Sequence, residues 1–385
     1  MTSKSTYRWN IITGEYPPQP GGVSDYTRLV AKGLAEAGDE VHVWAPECKK
    51  ESPVDVGVNL HRLPGHFGSR ALDQLSAHLD RQRDDRSRLL VQYVPQMYGW
   101  KAMNVPFCLW LYGRRRHSHW VMFHEIAVAI SFKQQLRFNV LGVVTHAMAS
   151  LVARAASRIF VSIPLWKEKL ARMASGPKPI TWLPVPSNIG SETSPEAVQA
   201  VREKIGVGAD KQIIGHFGTF GNLMVPLLLD VFPKILQPDE RRIALFLGRN
   251  SQRFAENFLK QHPHLGPQVV VGGALEAEEL RSHLKVCDVL LQPYPEGVCG
   301  RRSSLMAGLA LGLPIVTTRG RLTETVWQEG FVELAEEDNV EEQIHLAEQL
   351  LLNETHRKKL AELSRMAYKN NFSIDRTVET LRTAE

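Results

Sequence analysis

A chain of 385 residues is long enough for two domains, each burying its own core. With 43% hydrophobic and 23% charged residues, its composition excludes disordered and fibrous classes. A net charge of +5 and a pI near 9.0 suit anionic small ligands, an anionic membrane surface or nucleic acid, and do not separate them.

The opening stretch MTSKSTYRWNIITG has too short an apolar run for a signal-peptide core, so export is not expected. Trp9 to Thr13 reads as a buried strand; Val23, Tyr26, Val30 and Leu34 recur at helical spacing, Gly38 supplies a stop, and Val41, Val43 and Ala45 alternate as a second strand. The loop of this βαβ unit, Gly14 to Gly22, ends with a glycine pair at the helix start, where free amides and the positive dipole end favour a phosphate or carboxylate. Leu89 to Val94, Val121 to Phe123 and Arg158 to Val161 continue the strand rhythm of a doubly wound sheet.

The basic runs Arg81 to Arg88 and Arg114 to Arg116 suit contact with acidic lipid, yet such charge runs are more often solvated faces. Phe132, Leu136 and Val140 form an apolar stripe at helical spacing beside Lys133 and Arg137, a pattern that suits a lipid interface. The most apolar long stretch, Asn139 to Ala156, is interrupted by His146 and Arg154 and falls short of the roughly 20 residues of a spanning helix, so no transmembrane segment is expected. PVPSNIGSETSP after Leu183 reads as a linker.

The second half repeats the rhythm with strands at Ile213 to Phe217, Ile243 to Leu247, Val269 to Val271, Val289 to Leu291 and Ile315 to Thr317. Ligands of such sheets settle beyond the carboxyl ends of the strands, so the loops beginning at Gly218, Gly248, Gly272 and Gln292 should face a site. The four cysteines, Cys48, Cys108, Cys287 and Cys299, lack paired spacings and read as reduced packing residues.

The stretch PYPEGVCGRRSSLMAGLALGLPIVTT, residues 293 to 318, is the most informative. Ser303 or Ser304 caps a helix with apolar positions Leu305, Leu309 and Ala310; Gly312 ends it and Pro314 leads into the next strand. Arg301 and Arg302 then sit at the positive end of a helix, where each loses on the order of 0.3–1 kcal/mol unless an anion offsets it. Arg249 follows a strand and precedes a helix that Ser251 could cap. His124 and Glu125 follow the Val121–Phe123 strand at a sheet end. There is no Walker-type loop, no GxGxxG after the first strand, no GxSxG elbow and no paired-histidine zinc motif, which counts against ATP hydrolysis and serine esterase chemistry.

Together these segments resemble the GT-B glycosyltransferases, in particular the retaining family 4, over nearly the whole chain. GEYPPQPGGVSDYTRLVAKGLAEAGDEVHVWAP is similar to the family's N-terminal donor-phosphate loop and helix, FHE to its His-plus-acid segment, and DVLLQPYPEG with ALGLPIVTT to its donor-site segment. The resemblance implies two Rossmann-like doubly wound α/β domains facing across a cleft: an acceptor-side domain 1–186, a donor domain 187–368, and a helix at 369–385 crossing back. It implies that Gly21 and Gly22 approach the diphosphate, that His124 touches the transferred sugar, and that Glu324 stands where the family has a Glu after a glycine turn.

The sequence departs from the family where a spaced glutamate pair is usual: those positions fall on Cys299 and Ala307, with Glu296 nearby. The usual arginine and lysine after the first strand of the donor domain are replaced by Thr219 and Asn222. Arg301, Arg302 and Arg249 are therefore expected to neutralise the phosphates, with Ser303 or Ser304 hydrogen-bonding nearby and backbone around Gly273 reading the base. The expected activity is metal-independent, retaining hexosyl transfer from a nucleotide-diphosphate-sugar, UDP-sugar by default, to a glycan, glycolipid or small-molecule acceptor, with no separate cofactor. Expected partners are that donor, a glycan or lipid-linked acceptor and the anionic inner face of a membrane, not nucleic acid, in the cytoplasm. A catalytically silent nucleotide- or glycan-binding homologue and a nucleotide-sugar 2-epimerase are the alternatives.

Overall fold

The computed structural model describes residues 6–82 and 84–384, so the lead residues 1–5, Arg83 of the first basic run and Glu385 lie outside the described residues. The chain divides into two compact units, Met1–Pro184 with Ile374–Glu385, and Val185–Ser373.

The first unit begins β1 (Arg8–Ile12), α1 (Gly22–Glu36), β2 (Glu40–Pro46), β3 (Val58–Leu63), α2 (Ser69–Arg81) and β4 (Ser87–Tyr93). It continues α3 (Val105–Gly113), β5 (His119–Phe123), α4 (Leu136–Ala155), β6 (Arg158–Val161), α5 (Trp166–Met173) and β7 (Ile180–Trp182). All seven strands are parallel in the order β3-β2-β1-β4-β5-β6-β7, here sheet A. Strands covered on both faces read as apolar runs, which is why Trp9, Ile11, Val43, Val91 and Val121 are all essentially buried. Phe107 and Leu111 of α3 and Met148, Ala149 and Val152 of α4 pack on one face.

The second unit runs α6 (Pro195–Lys204), β8 (Gln212–Phe217), α7 (Val225–Leu236), β9 (Arg242–Leu247), α8 (Ser251–Gln261), β10 (Val269–Gly273) and α9 (Ala277–Lys285). It ends β11 (Val289–Gln292), α10 (Ser303–Ala310), β12 (Ile315–Arg319), β13 (Glu333–Glu336), α11 (Val340–Leu352) and α12 (Glu354–Ala367). Sheet B is also all parallel, in the order β10-β9-β8-β11-β12-β13. Phe246 at its centre meets Phe232 of α7 and Phe254 of α8, both at 4.9 Å between ring centroids. Each such ring contributes roughly 1.5–3 kcal/mol by leaving water.

The last helix, α13 (Ile374–Thr383), belongs to the first unit and packs on α1. Val378 lies against Gly33, where a Cβ would be 2.8 Å from its Cγ2. Arg382 reaches the buried Asp39 carboxylate at 3.1 Å, which also accepts from the Tyr7 amide and the Trp9 indole, both at 3.0 Å.

Several expectations are corrected. The units divide at Pro184/Val185 and Ser373/Ile374, against the expected 186/187 and 368/369. The second break falls later because Tyr368–Phe372 extends α12 by a π turn, and Phe372 stacks on Trp327 at 5.1 Å. The expected linker is partly core: Pro186, Ser187 and Ile189 are buried. The Val185 amide donates to the Gly300 carbonyl at 2.7 Å, and the Ser187 amide to the Tyr368 hydroxyl at 3.1 Å. Helix α4 spans 20 residues, longer than expected; by length and composition it could cross a membrane, and a third of its most apolar window is buried. Phe132 lies in the turn before α4 rather than on its stripe.

Candidate functional site

At the carboxyl edge of sheet B three glycine turns interlock. The Gly218 amide donates to the Leu247 carbonyl at 3.0 Å, and the Gly248 amide to the Gly273 carbonyl at 2.7 Å. Gly248 has φ 112° and its missing Cβ makes room for the Gly218 carbonyl, so no other residue fits this position without strain. Asn250, at φ 67°, fastens the array by donating its side-chain amide to the Thr219 carbonyl at 3.1 Å. Thr219, Arg249 and Gly273 thus share one edge, with Thr219 and Arg249 exposed. Ser251, expected to cap α8, instead lies inside the helix with its hydroxyl buried and unbonded; Asn250 holds the cap position without a side-chain bond.

Two buried polar residues at this edge escaped the sequence reading, although Gln292 ends the apolar strand β11 and His216 is the last residue but one of β8. His216 donates Nδ1–H to the Leu291 carbonyl at 2.9 Å, and burial depresses its pKa to about 4. Its Nε2 is therefore an acceptor, and it has no protein partner. Gln292 donates Nε2–H to the Phe217 carbonyl at 3.0 Å, while its Oε1 is unpartnered. Buried polar atoms without partners cost about 1–3 kcal/mol each, a cost a bound ligand removes.

The loop from Pro293 to Arg302 continues the same edge. The Tyr294 backbone amide and carbonyl both bond the Thr318 hydroxyl at 2.8 Å, and its phenol meets the Ser304 hydroxyl at 2.9 Å. Arg302 lies over the Tyr294 ring, its Cζ 4.6 Å from the centroid, with its Nε buried and unbonded. The α10 cap differs from expectation: Arg302 itself is at the cap position, Ser303 and Ser304 lie in the first turn, and neither serine caps the helix. Arg302 therefore stands immediately before the first helical residue, Ser303, and directly after the Arg301 turn.

Glu324 holds that turn from below. Its carboxylate accepts from the Gly300 amide at 2.9 and 3.2 Å and from the Trp327 indole at 2.7 Å. Burial pushes its pKa up to about 7, and those two donors only partly offset the shift. Glu296, at φ 119°, is exposed and ion-paired with Arg321. Cys299 and Ala307, where a spaced glutamate pair was expected by resemblance, are wholly buried.

In the first unit, Gly21, Gly22 and His124 lie at the carboxyl edge of sheet A. Gly21 precedes the first residue of α1. The sequence reading missed Glu15, whose carboxylate occupies the room a Gly21 Cβ would take and accepts from the Ser24 amide at 3.0 Å. Burial raises the Glu15 pKa, against the Ser24 and Val23 amides that lower it. The start of α1 thus already holds one internal carboxyl group, and Gly22 faces open space. His124 meets Tyr26 of α1 edge-on at 4.7 Å and donates Nε2–H to Gln92 Oε1 at 2.8 Å. Burial holds its pKa down at about 3, so the ring is neutral near pH 7 with Nδ1 as its acceptor. Among the described residues no group of three His, Cys, Asp or Glu is arranged as metal ligands.

Two parallel, doubly wound α/β units, each with a glycine-lined turn at the carboxyl edge of its sheet, define the GT-B class of fold. The chain belongs to the family 4-like, group 1 glycosyltransferases: residues 21–186 match the family described as Glycosyl transferase 4-like domain, and residues 211–353 the family described as Glycosyl transferases group 1. Among solved structures it is similar to HepE of Anabaena in complex with UDP, at TM-score 0.67 and 14% identity over 98% of both chains. It is similar to a glycosyltransferase of Rickettsia africae at TM-score 0.69 and 14% identity, covering 98% of this chain and 97% of that one. It is also similar to sucrose-phosphate synthase of Thermosynechococcus elongatus at TM-score 0.68 and 15% identity over 97% of both. At these identities the likeness is one of fold. No curated protein sequence matches the chain.

Proposed function

We propose that this glycosyltransferase moves a hexose from a nucleotide-diphosphate-sugar, a UDP-sugar first, with retention of configuration and without a metal ion. The observation that carries the reading is the carboxyl edge of sheet B. There Arg301 and Arg302 lead into α10, and His216 Nε2, Gln292 Oε1 and Arg302 Nε are buried without hydrogen-bond partners. Departure of a diphosphate is the hard step. Guanidinium groups fixed before the reaction stabilise the charge that develops there, and packing on Tyr294 fixes Arg302. Glu324 is a positioning residue that holds the Gly300–Arg301 turn, and Arg249, Thr219 and Gly273 bind the nucleotide. His124, neutral and oriented by Gln92, hydrogen-bonds the transferred sugar without exchanging protons. The UDP and UDP-glucose complexes of HepE, a fold neighbour, support UDP-sugars as the first donors to assay.

The test is release of nucleoside diphosphate from a panel of nucleotide sugars, in EDTA, with the anomeric configuration of the product read by NMR. Arg301→Ala with Arg302→Ala should slow release about 100-fold, the scale of losing a preorganised charge donor. Undiminished release sinks the leaving-group assignment, and a chelator-sensitive rate sinks metal independence. The buried Cys299 and Ala307 favour a second reading, a catalytically silent binder, because no carboxylate stands at those positions. Donor binding without diphosphate release would establish it.

For the acceptor, we infer a lipid-linked or glycan substrate met at the anionic, cytoplasmic face of a membrane. The support is the exposed apolar set on and before α4: Phe132, Leu136, Val140 and Val143 are largely solvent-accessible beside Lys133 and Arg137. An apolar face edged by cations is what an anionic interface binds.

A further inference from the structure

The segment joining β4 to α3 holds a left-handed turn at the carboxyl edge of sheet A. Gly99 has φ 74°, and Trp100, Lys101 and Ala102 follow at 53°, 53° and 68°. The Ala102 amide donates to the Gly99 carbonyl and the Met103 amide to the Trp100 carbonyl, both at 3.0 Å, which closes the turn. Three consecutive L-residues in this conformation are unfavourable, because each Cβ crowds the following carbonyl oxygen, so the surroundings must hold them there. Asn104, fully buried, does so. Its Nδ2–H donates to the His66 carbonyl at 3.0 Å and the Tyr98 carbonyl at 2.8 Å, while its Oδ1 accepts from the Phe107 amide at 3.0 Å. Tyr98 donates its hydroxyl to the Gln92 carbonyl at 2.6 Å and stacks on Phe107 at 4.2 Å, which anchors the turn in the core.

What this anchoring displays is Trp100 and Lys101. Trp100 is 55% exposed, whereas every other tryptophan is buried or half-buried. Among the described residues no aromatic ring or cation lies against its indole, and Lys101, also exposed, has neither an ion pair nor a side-chain hydrogen bond. Part of the turn has an ordinary cause: the chain must reverse from β4 into α3, and Asn104 caps that helix. That cause calls for glycine or asparagine at the left-handed positions, not for Trp and Lys. The turn also stands among the loops of this edge. Gly14, after β1, has no room for a side chain because Met97 lies against it, and Gln96 donates to the Glu125 carboxylate at 3.2 Å, next to His124. Ligands of a parallel sheet settle at this edge.

We propose that the Gly99–Ala102 turn binds the acceptor of the transfer: the indole of Trp100 covers the C–H face of a sugar ring, and the Lys101 ammonium pairs with a phosphate on that sugar, free or lipid-linked. An indole offers a large, rigid contact face at little conformational cost, and an ammonium is a compact charge suited to phosphate. That the bound sugar is an acceptor rests on the transferase reading; the binding itself does not.

The test reads binding without turnover, so that a loss of donor chemistry counts against the transferase reading alone. The whole protein is titrated with a panel of hexose 1-phosphates, with the matching methyl hexosides, and with the same sugars as short-chain prenyl phosphates. The Trp100 indole N–H resonance, assigned by its loss in Trp100→Phe, is followed. Saturable binding of a phosphorylated sugar that moves this resonance, weakens at least about fivefold in Trp100→Ala and in Lys101→Met, and exceeds binding of the methyl hexoside supports the proposal. Saturation by the 1-phosphates assigns the turn to free sugar phosphates, and saturation by the prenyl phosphates alone assigns it to lipid-linked ones. Trp100→Gly with Lys101→Gly is the second variant. It should lose binding yet raise the thermal midpoint by roughly 2–4 °C, because glycine adopts the turn freely; a fall would make the pair part of the packing and overturn the proposal. No saturable binding of any of these sugars overturns it as well, as does binding that Trp100→Ala leaves unchanged. Loss of flotation with anionic vesicles in Trp100→Ala, with sugar binding retained, would make the turn a lipid anchor instead.

Discussion

Glu324 is a carboxyl whose folded pKa, about 7, lies above its ordinary value of 4.5. Its contribution to stability is therefore fully present below pH 4.5 and is lost as the pH rises through 7. The loss is at most about 3 kcal/mol, and urea midpoints should fall between pH 5 and pH 8 accordingly. In Glu324→Gln that decline should flatten, while the turn loosens because an amide nitrogen replaces one acceptor; an unchanged slope would remove Glu324 as its source. Gly248→Ala carries the opposite signature. The new Cβ meets the Gly218 carbonyl at a φ that L-residues avoid, so about 1–3 kcal/mol of stability should vanish at every pH. His124 adds a third expectation: already neutral above about pH 3, it should leave no titration between pH 5 and pH 8 in the rate profile of the enzyme.

At the scale of elements, α4 joins two environments. Met148, Ala149 and Val152 sit in the core of sheet A, whereas Leu136, Val140 and Val143 face outward. Leu136→Glu with Val140→Glu should abolish flotation with anionic vesicles and leave the far-UV spectrum intact; retained flotation would place the lipid contact elsewhere. The strands buried on both faces were legible because a covered parallel strand must be apolar throughout. The strands β3, β7 and β13 were not, since they sit at sheet edges, where VNLHRL, ITW and ELAE are only partly buried and carry no clean period. Of the candidate site, the glycine turns and the Arg301–Arg302 pair were legible from their places before helices. Glu15 was not, because its capping of Ser24 depends on how the Pro17–Gly21 turn folds back rather than on spacing. The serine caps were misplaced because Arg302, not a serine, is the last non-helical residue before α10. Two polar residues, His216 and Gln292, were hidden in strands that otherwise read as plain core.

At the scale of the whole molecule, the first unit is discontinuous in sequence and the second is continuous. Asp39 is fully buried, and its charge is balanced by Arg382, which lies on α13. Arg382→Met should cost about 3 kcal/mol by leaving that carboxylate without a cation, a loss seen in the thermal transition of the first unit and relieved by Asp39→Asn in the same chain. Absence of that rescue would locate the effect in packing on α1 instead. During synthesis on the ribosome, the whole of the second unit emerges before the α13 segment does. The early-made half must then wait, its Asp39 uncompensated and the Gly33 face of α1 bare, while the later-made half can already close. A released chain ending at residue 373 should show a protease-resistant second unit beside a labile first one.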